Sequence, residues 1–425
     1  MTVGYGGDKT SGKHLLEHKI PNTKGNPGPL NRLRRYRAME TFSQSPTDPI
    51  FVQDPYPAYD QARTMGDVVW WKDYNMPAAV SHRAVRMILG NRELGREPLG
   101  STQCPVHIAQ WQANESHSML ELEPPRHSRL RGLVLRAFTG RKVAAMAPEI
   151  TTTCHQLIDA FPDQPFDFLN NFARPLPVHV IATLLGVPTD RCDDLLIWSN
   201  AMVAMYQSGR SYETELAANQ ATIDFTEFLE NYIKHRRAHP REDLLSDLIS
   251  AEEAGEKLTG AELISTCILL LNAGHEATVH TLGNALKTLL PLPYREVTPD
   301  LVEEVLRYDP PLHVFTRHAY KDIDCFGLEI KKGQEVACLL AAANRDPAFV
   351  EDPNRFDPNR KPGQHQSFGA GLHFCVGAPL ARLEITLGLQ ILFERCPNLE
   401  ISAEPQYADS YHFHGLKSLM VLISA

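Results

Sequence analysis

A mainly α-helical fold with a small β region, built as one large domain around a long central helix, is what the sequence predicts, and three observations predict it. An uninterrupted helical pattern runs from Thr259 to Pro291. Helical periodicity dominates the rest of the chain, while short strand-like pieces such as Val336 to Leu340 collect in the last third. From Asp48 onward no linker, repeat or low-complexity segment divides the chain, so one core is the simplest account of 425 residues that are 43% hydrophobic.

Residues 1–45 are rich in Gly, Pro, Asn, Lys and Arg and carry no sustained apolar period, so a mobile extension is expected there and the domain is expected over 46–425. Met1 to Lys24 lack the apolar run of a signal peptide. No segment reaches the roughly 18 to 20 apolar residues of a membrane helix. With 42 basic against 51 acidic residues, net charge -9, a generally basic surface for nucleic acid is excluded. The eight cysteines include no close pair of the kind that holds zinc or frames a small disulfide fold. A cytoplasmic protein with no membrane span is the expectation.

Thr259 followed by Glu262 makes a capping box, and the helix it opens runs about 31 residues, roughly 46 Å, before Pro291. Its stretch Cys267 to Leu271 is apolar on every side, which predicts a buried, central helix. A second helix starts at Thr298, with Pro299 in the first helical position, and stops at Asp309-Pro310-Pro311. It carries Glu304 and Arg307 three residues apart, on one face and within ion-pair reach.

The chemistry is concentrated in Phe368-Gly369-Ala370-Gly371-Leu372-His373-Phe374-Cys375-Val376-Gly377, followed by a helical run from Ala378 to Leu387. Gly371 and Gly377 let backbone pass close to a flat ligand. Cys375 stands at a helix start, where free N–H groups and the helix dipole favour thiolate over thiol. Such a cysteine can hold iron as an anion.

Phe-x-x-Gly-x-x-x-Cys-x-Gly resembles the haem-binding loop of the soluble bacterial cytochrome P-450 family, and further landmarks follow in order. Glu304-Val305-Leu306-Arg307 resembles the family's Glu-x-x-Arg pair, and Pro353-Asn354-Arg355-Phe356 its meander. The resemblance implies that Arg355 completes an ion-pair triad with Glu304 and Arg307. It implies haem b on Cys375, beside Phe368, Gly371 and Gly377, with the central helix lying over it. His127 and Arg131, within Pro124 to Arg131, match the helix that meets the haem propionates, and Arg317 and His373 match the other propionate partners. Asp48-Pro49 through Pro57 resembles the usual start of such chains and Gly415 to Leu419 the usual end, so the likeness covers nearly everything after the extension.

Two departures stand out. Ala273-Gly274-His275-Glu276-Ala277-Thr278 resembles the family's oxygen-binding groove, yet Ala277 stands where a threonine usually follows the acid, with Thr278 one place later. One residue turns a side chain by about 100° round a helix, so Thr278 is no simple substitute. Either ordered water carries protons from Glu276, or a substrate hydroxyl fills the gap. Second, Pro291 to Asp300 is too short for the helix that bacterial members usually carry there, which is expected to be truncated or absent.

By position, the resemblance implies a substrate pocket walled by Leu269, Asn272, Ala273, Gly274, His313, Val314, Phe315 and Phe413, roofed by residues near 95–118 and 195–215. His313, His412 and His414 are candidates to meet an anionic or hydroxylated group. Arg126, Arg129, Arg131, Arg136, Arg141 and Lys142, with no acid among them, make a local basic face suited to an acidic ferredoxin with its reductase. The expected function is a monooxygenase adding one atom of dioxygen to a small organic molecule. The rival expectations are a peroxide-using or rearranging haem-thiolate enzyme and a non-catalytic haem sensor.

Overall fold

The computed structural model describes residues 38–100, 104–136, 138–207, 209–253, 258–360 and 363–424. Helices form the bulk of the fold, and one mixed sheet lies to the side. The sheet is assembled from β1 (Thr41–Phe42), β2 (Val68–Trp71), β3 (Met76–Ala79), β4 (Leu94–Gly95), β5 (Val314–Ala319) and β6 (Glu335–Leu339). Its order is β1-β2-β3-β6-β5-β4, so strands from the two ends of the chain interleave. The β5–β6 pair is antiparallel, Val314 opposite Leu339 and Arg317 opposite Val336, and β6 lies parallel to β3 through Ala78 and Ala337.

β1 corrects the expected domain boundary. Thr41–Phe42 pairs with Trp70–Trp71 and Phe42 is buried, because an aromatic side chain beside Trp71 gains more from the core than from water. The domain therefore begins before residue 46. Residues 1–37 of the expected extension lie outside the described residues.

Four helices position the site: α1 (Arg126–Val134), α2 (Gly260–Leu289), α3 (Pro299–Tyr308) and α4 (Ala378–Arg395). α2 is the expected central helix, opened by the complete capping box of Thr259 and Glu262. It packs on α4 and on the helices Pro175–Leu185 and Cys192–Val203. Gly274 allows a close approach to the helix Pro175–Leu185, since a Cβ there would stand 2.5 Å from Ile181 Cγ1. α2 ends where the Arg295 guanidinium donates to the carbonyls of Leu289, Leu290 and Leu292 at 2.7–3.0 Å, satisfying groups that a helix end leaves open. As expected, only turns connect Leu290 to Thr298. α3 starts at the Thr298 cap with Pro299 first and ends at Asp309.

Candidate active site

α4 begins at Ala378, three residues after Cys375, and the peptide N–H groups of Gly377 and Ala378 donate to the sulfur. In the protein alone, and against the thiolate expected at a helix start, burial wins and pushes the Cys375 thiol up, opposed by those amides and the charges of Arg131 and Arg382. A metal cation would add to the second group of effects. Gly371 has φ +71°, and a Cβ there would lie 2.4 Å from the Leu89 carbonyl, so the loop closes only with glycine at that position. Cys375 N–H donates to Phe368 O at 2.9 Å, folding the loop back on itself.

Basic groups gather around this loop. Arg131 Nη2 donates to Phe374 O at 2.6 Å. His127 is buried, its ring 4.4 Å from that of His373, and its Nδ1 has no partner among the described residues. Burial, followed by the charges of His373 and Arg131, lowers the His127 pKa to about 4. Arg317 is buried, its Nη1 donates to Thr316 O at 2.8 Å, and it forms no ion pair among the described residues. His373 Nε2 meets the Glu123 carboxylate at 2.9 Å, and the nearby Glu121 is paired with Arg96. Burial raises the Glu123 pKa, but His373 and the Arg96 amide outweigh it and hold the carboxyl low. Arg131 and Arg317 carry charge that no ion pair among the described residues balances, and neutral His127 keeps an open Nδ1, a combination that two propionates suit. Thiol and basic groups together fit haem.

The buried ion-pair network corrects one residue. Arg307 holds Glu304 with two hydrogen bonds, Nε to Oε2 at 2.7 Å and Nη2 to Oε1 at 2.8 Å. The third member is Arg360, whose Nε reaches Glu304 Oε1 at 3.2 Å, and not Arg355. Arg355 contributes its carbonyl oxygen to Arg307 and Arg360, while its side chain turns outward, 67% exposed, to Asp357. The turn Asp352 to Arg355, closed by Arg355 N–H on Asp352 O, aims the peptide inward and the guanidinium at solvent.

On α2 the residues with accessible surface include Leu269, Asn272, Ala273, Glu276, Ala277 and His280, a stripe at helical spacing on an otherwise buried helix. Gly274 is also partly accessible, and a Cβ there would point at Ile181, so glycine at this position lets the neighbouring helix pack closely. Asn272 Nδ2 turns to Met202 Sδ at 3.8 Å, toward the helix Cys192–Val203. Glu276 lies between two histidines, 3.4 Å from His280 Nε2 and 3.9 Å from His275 Nε2. Burial raises its pKa, yet His280, His275 and Arg174 together keep it below the usual carboxyl value. Thr278 is buried, and the Thr281 hydroxyl is committed to Ala277 O at 2.7 Å.

Phe315 stands against the cysteine loop, within 4.0 Å of a Cβ built on Gly369 and beneath the guanidinium groups of Arg96 and Arg317. Val314 is partly buried beside it on β5, and the Phe413 ring lies 5.7 Å from that of His280. His313 corrects the expected pocket. It is fully buried, with Nδ1 2.8 Å from the Tyr59 hydroxyl, because an imidazole on this turn finds partners in the core. His414 is likewise buried, and of the three histidines only His412 carries appreciable surface.

The two roof segments meet where Tyr206 Oη donates to Glu115 Oε2 at 2.8 Å. Burial, and then repulsion from Glu121, raises the Glu115 pKa to about 7. Arg96 pairs with Glu121, and the His412 ring lies 5.4 Å from Tyr206. Sequence reasoning did not single out Arg96, Glu115, Glu123, Arg360 or His280. Arg96 and Arg360 stand in polar stretches where any arginine would pass as solvated, whereas His280, four residues after Glu276, was open to a helical-spacing argument.

Comparison with known proteins decides the family. The chain is 33% identical over 406 residues to the putative cytochrome P450 YjiB of Bacillus subtilis (strain 168), covering 92% of this chain and all of that one. This protein belongs to the cytochrome P450 family. The family model "Cytochrome P450" matches residues 292–416. The cytochrome P450 monooxygenase PikC of Streptomyces venezuelae is 34% identical over 397 residues, 87% of this chain and 91% of its own. The crystal structure of P450BioI in complex with an acyl carrier protein ligated to hexadec-9Z-enoic acid superposes with TM-score 0.83 at 32% identity, over 88% of this chain and all of that one. The cytochrome P450 fold, a haem b cofactor and monooxygenase activity follow from this membership. No helix among the described residues is long and apolar enough to cross a membrane.

Proposed function

We propose that Cys375 is the iron ligand of a cytoplasmic monooxygenase that inserts one oxygen atom into a small, hydroxyl-bearing organic molecule, with electrons from an acidic ferredoxin and its reductase. The observation that carries this reading is the convergence of the Gly377 and Ala378 amides on the Cys375 sulfur, next to Arg131 and Arg317, which form no ion pair among the described residues, and His127 with its open Nδ1. Haem b bound there supplies dioxygen activation and oxygen-atom transfer.

The chain's own residues have separable tasks in this scheme. With haem bound, Arg131 and Arg317 would neutralise the propionates and neutral His127 would offer them a hydrogen bond, while His373 is held by Glu123. Glu276, held charged by His280 and His275, is the proton carrier on the distal helix. Ala277 offers it no hydroxyl, Thr281 is engaged with the backbone, and so a substrate hydroxyl completes the path. Leu269, Ala273, Val314, Phe315 and Phe413 give the substrate apolar walls, and the Glu115–Tyr206 and Arg96–Glu121 pairs give its roof a polar lining.

The test is the spectrum of reduced protein with carbon monoxide, followed by turnover with ferredoxin and reductase or with peroxide. Wild-type protein is expected to give the red-shifted thiolate band and Cys375→Ala to lose it. Retention of that band in the variant would overturn the assignment, and turnover with peroxide alone would favour the peroxide-using reading.

A further inference from the structure

Behind the pocket wall, Asp309, His313 and His414 bring one oxygen and two imidazole nitrogens within 4.8 Å of one another, all in buried side chains. We propose that these three residues form a second metal site, one for a divalent borderline ion of the zinc class, separate from the haem iron.

Donor chemistry selects the ion. Two imidazoles and one carboxylate suit zinc or its transition-metal neighbours, whereas calcium and magnesium prefer all-oxygen cages. His414 Nε2 stands 3.7 Å from Asp309 Oδ1, too far for a hydrogen bond. It is close to the roughly 3.4 Å edge of a tetrahedron whose ligands lie about 2.0 to 2.2 Å from a shared ion. His313 Nε2 is buried with no partner among the described residues, while Nδ1 lies 2.8 Å from the Tyr59 hydroxyl. Tyr59 Oη in turn stands 2.9 Å from Tyr411 Oη. If Nδ1–H donates along this chain, Nε2 is left with a free lone pair, the arrangement by which outer partners prepare metal-binding histidines.

The backbone is prepared as well. Asp309 ends α3 and His313 follows after Pro310-Pro311-Leu312, so two prolines stiffen the span between these donors. Asn284 of α2 donates from one amide group to Asp309 O at 3.2 Å and His414 O at 2.9 Å, clamping two of the three donor residues. His414 N–H donates to Pro311 O at 2.6 Å. The Tyr56 hydroxyl donates to Asp309 Oδ1 at 2.8 Å and the Tyr407 hydroxyl donates to Oδ2, so each carboxylate oxygen has one lone pair engaged and a second left for an ion. An ion here would tie the end of α3, the start of β5 and the turn holding Phe413 into one unit.

Zinc chloride alone is the probe, added to chelator-treated holoenzyme. Zinc content after desalting, zinc-edge X-ray absorption and thermal unfolding are measured, none of which reads haem turnover. About one zinc per chain with two imidazole ligands, and a raised unfolding temperature, are expected for wild type. Asp309→Asn and His414→Gln should each lower the affinity at least tenfold. Tyr59→Phe, which keeps the ring in place, should retain haem and fold yet bind zinc about 10- to 100-fold more weakly. No zinc on wild type, or equal affinity in wild type and Tyr59→Phe, overturns the proposal.

Discussion

Arg129 of α1 grips Glu262 of α2 with two parallel hydrogen bonds, Nη1 to Oε2 at 3.0 Å and Nη2 to Oε1 at 2.6 Å. Glu262 is also the capping-box acid of the central helix, so one buried carboxylate closes a helix end and fastens a neighbouring helix to it. This removes Arg129 from the face expected to be free for an electron partner.

The Arg129 hydrogen bonds, ahead of the opposing burial effect, lower the Glu262 pKa to about 2. A carboxyl whose folded pKa is depressed contributes stability above its unfolded value, near 4.5, and loses it as pH falls toward 2. Glu262→Gln should therefore cost roughly 2 to 3 kcal/mol at neutral pH, discounted for the exposed side of Arg129. The deficit should shrink between pH 4.5 and 2. Denaturant unfolding of both proteins at pH 7 and pH 3 checks this, and a deficit that grows in acid would refute it.

Arg307→Ala leaves Glu304 without its bidentate partner in the core, a loss of roughly 3 to 5 kcal/mol that should show as lost haem or insoluble protein. Arg360→Ala should fall in the same direction. Arg355→Ala removes only an exposed pair worth roughly 0 to 1 kcal/mol. Melting temperatures and haem content of the three variants rank them, and a ranking with Arg355 above Arg360 would restore the expected triad.

Arg136 and Arg141 remain exposed on the basic segment, whereas Lys142 pairs with Asp247 and Arg126 approaches Glu262. Reversing Arg136 and Arg141 to Glu should slow reduction by an acidic ferredoxin, and the defect should shrink as salt screens charges beyond about 10 Å at 0.1 M. Stopped-flow reduction across ionic strength measures it. An unchanged low-salt rate would remove this face from docking.

If a substrate hydroxyl stands in for the one that Ala277 lacks, deoxy analogues should bind yet release peroxide in place of product. Ala277→Thr should restore coupling for those analogues while crowding the hydroxylated substrate. The ratio of product to electrons consumed is the readout. Equal coupling for both substrates in the unmodified enzyme would leave ordered water as the proton path.

Much of this was legible in the chain because it is local. The Thr259–Glu262 box and Pro299 at a helix start each act within a few residues, and both stand where capping predicted. What failed to show was direction. Spacing brings both Arg355 and Arg360 near Glu304, but a turn decides which guanidinium points inward. His313 lies on the strand approach that resemblance assigns to the pocket, yet Tyr59, more than 250 positions away, draws its ring into the core. Phe42 was lost to its polar surroundings in sequence, although its tertiary partner is Trp71.

The interleaving of the sheet carries a consequence for how the molecule is made. β3 and β4 leave the ribosome long before β5 and β6, which must slot between them. Until residue 339 has been synthesised, the early strands expose backbone edges with no native neighbour, and their pairing closes loops of more than two hundred residues. Topology of this kind slows folding and lengthens the time a nascent chain can mispair. The protein's yield in a cell should depend on holding those first strands apart from one another's copies, so coexpressed chaperones are expected to raise it more than a lower expression temperature alone.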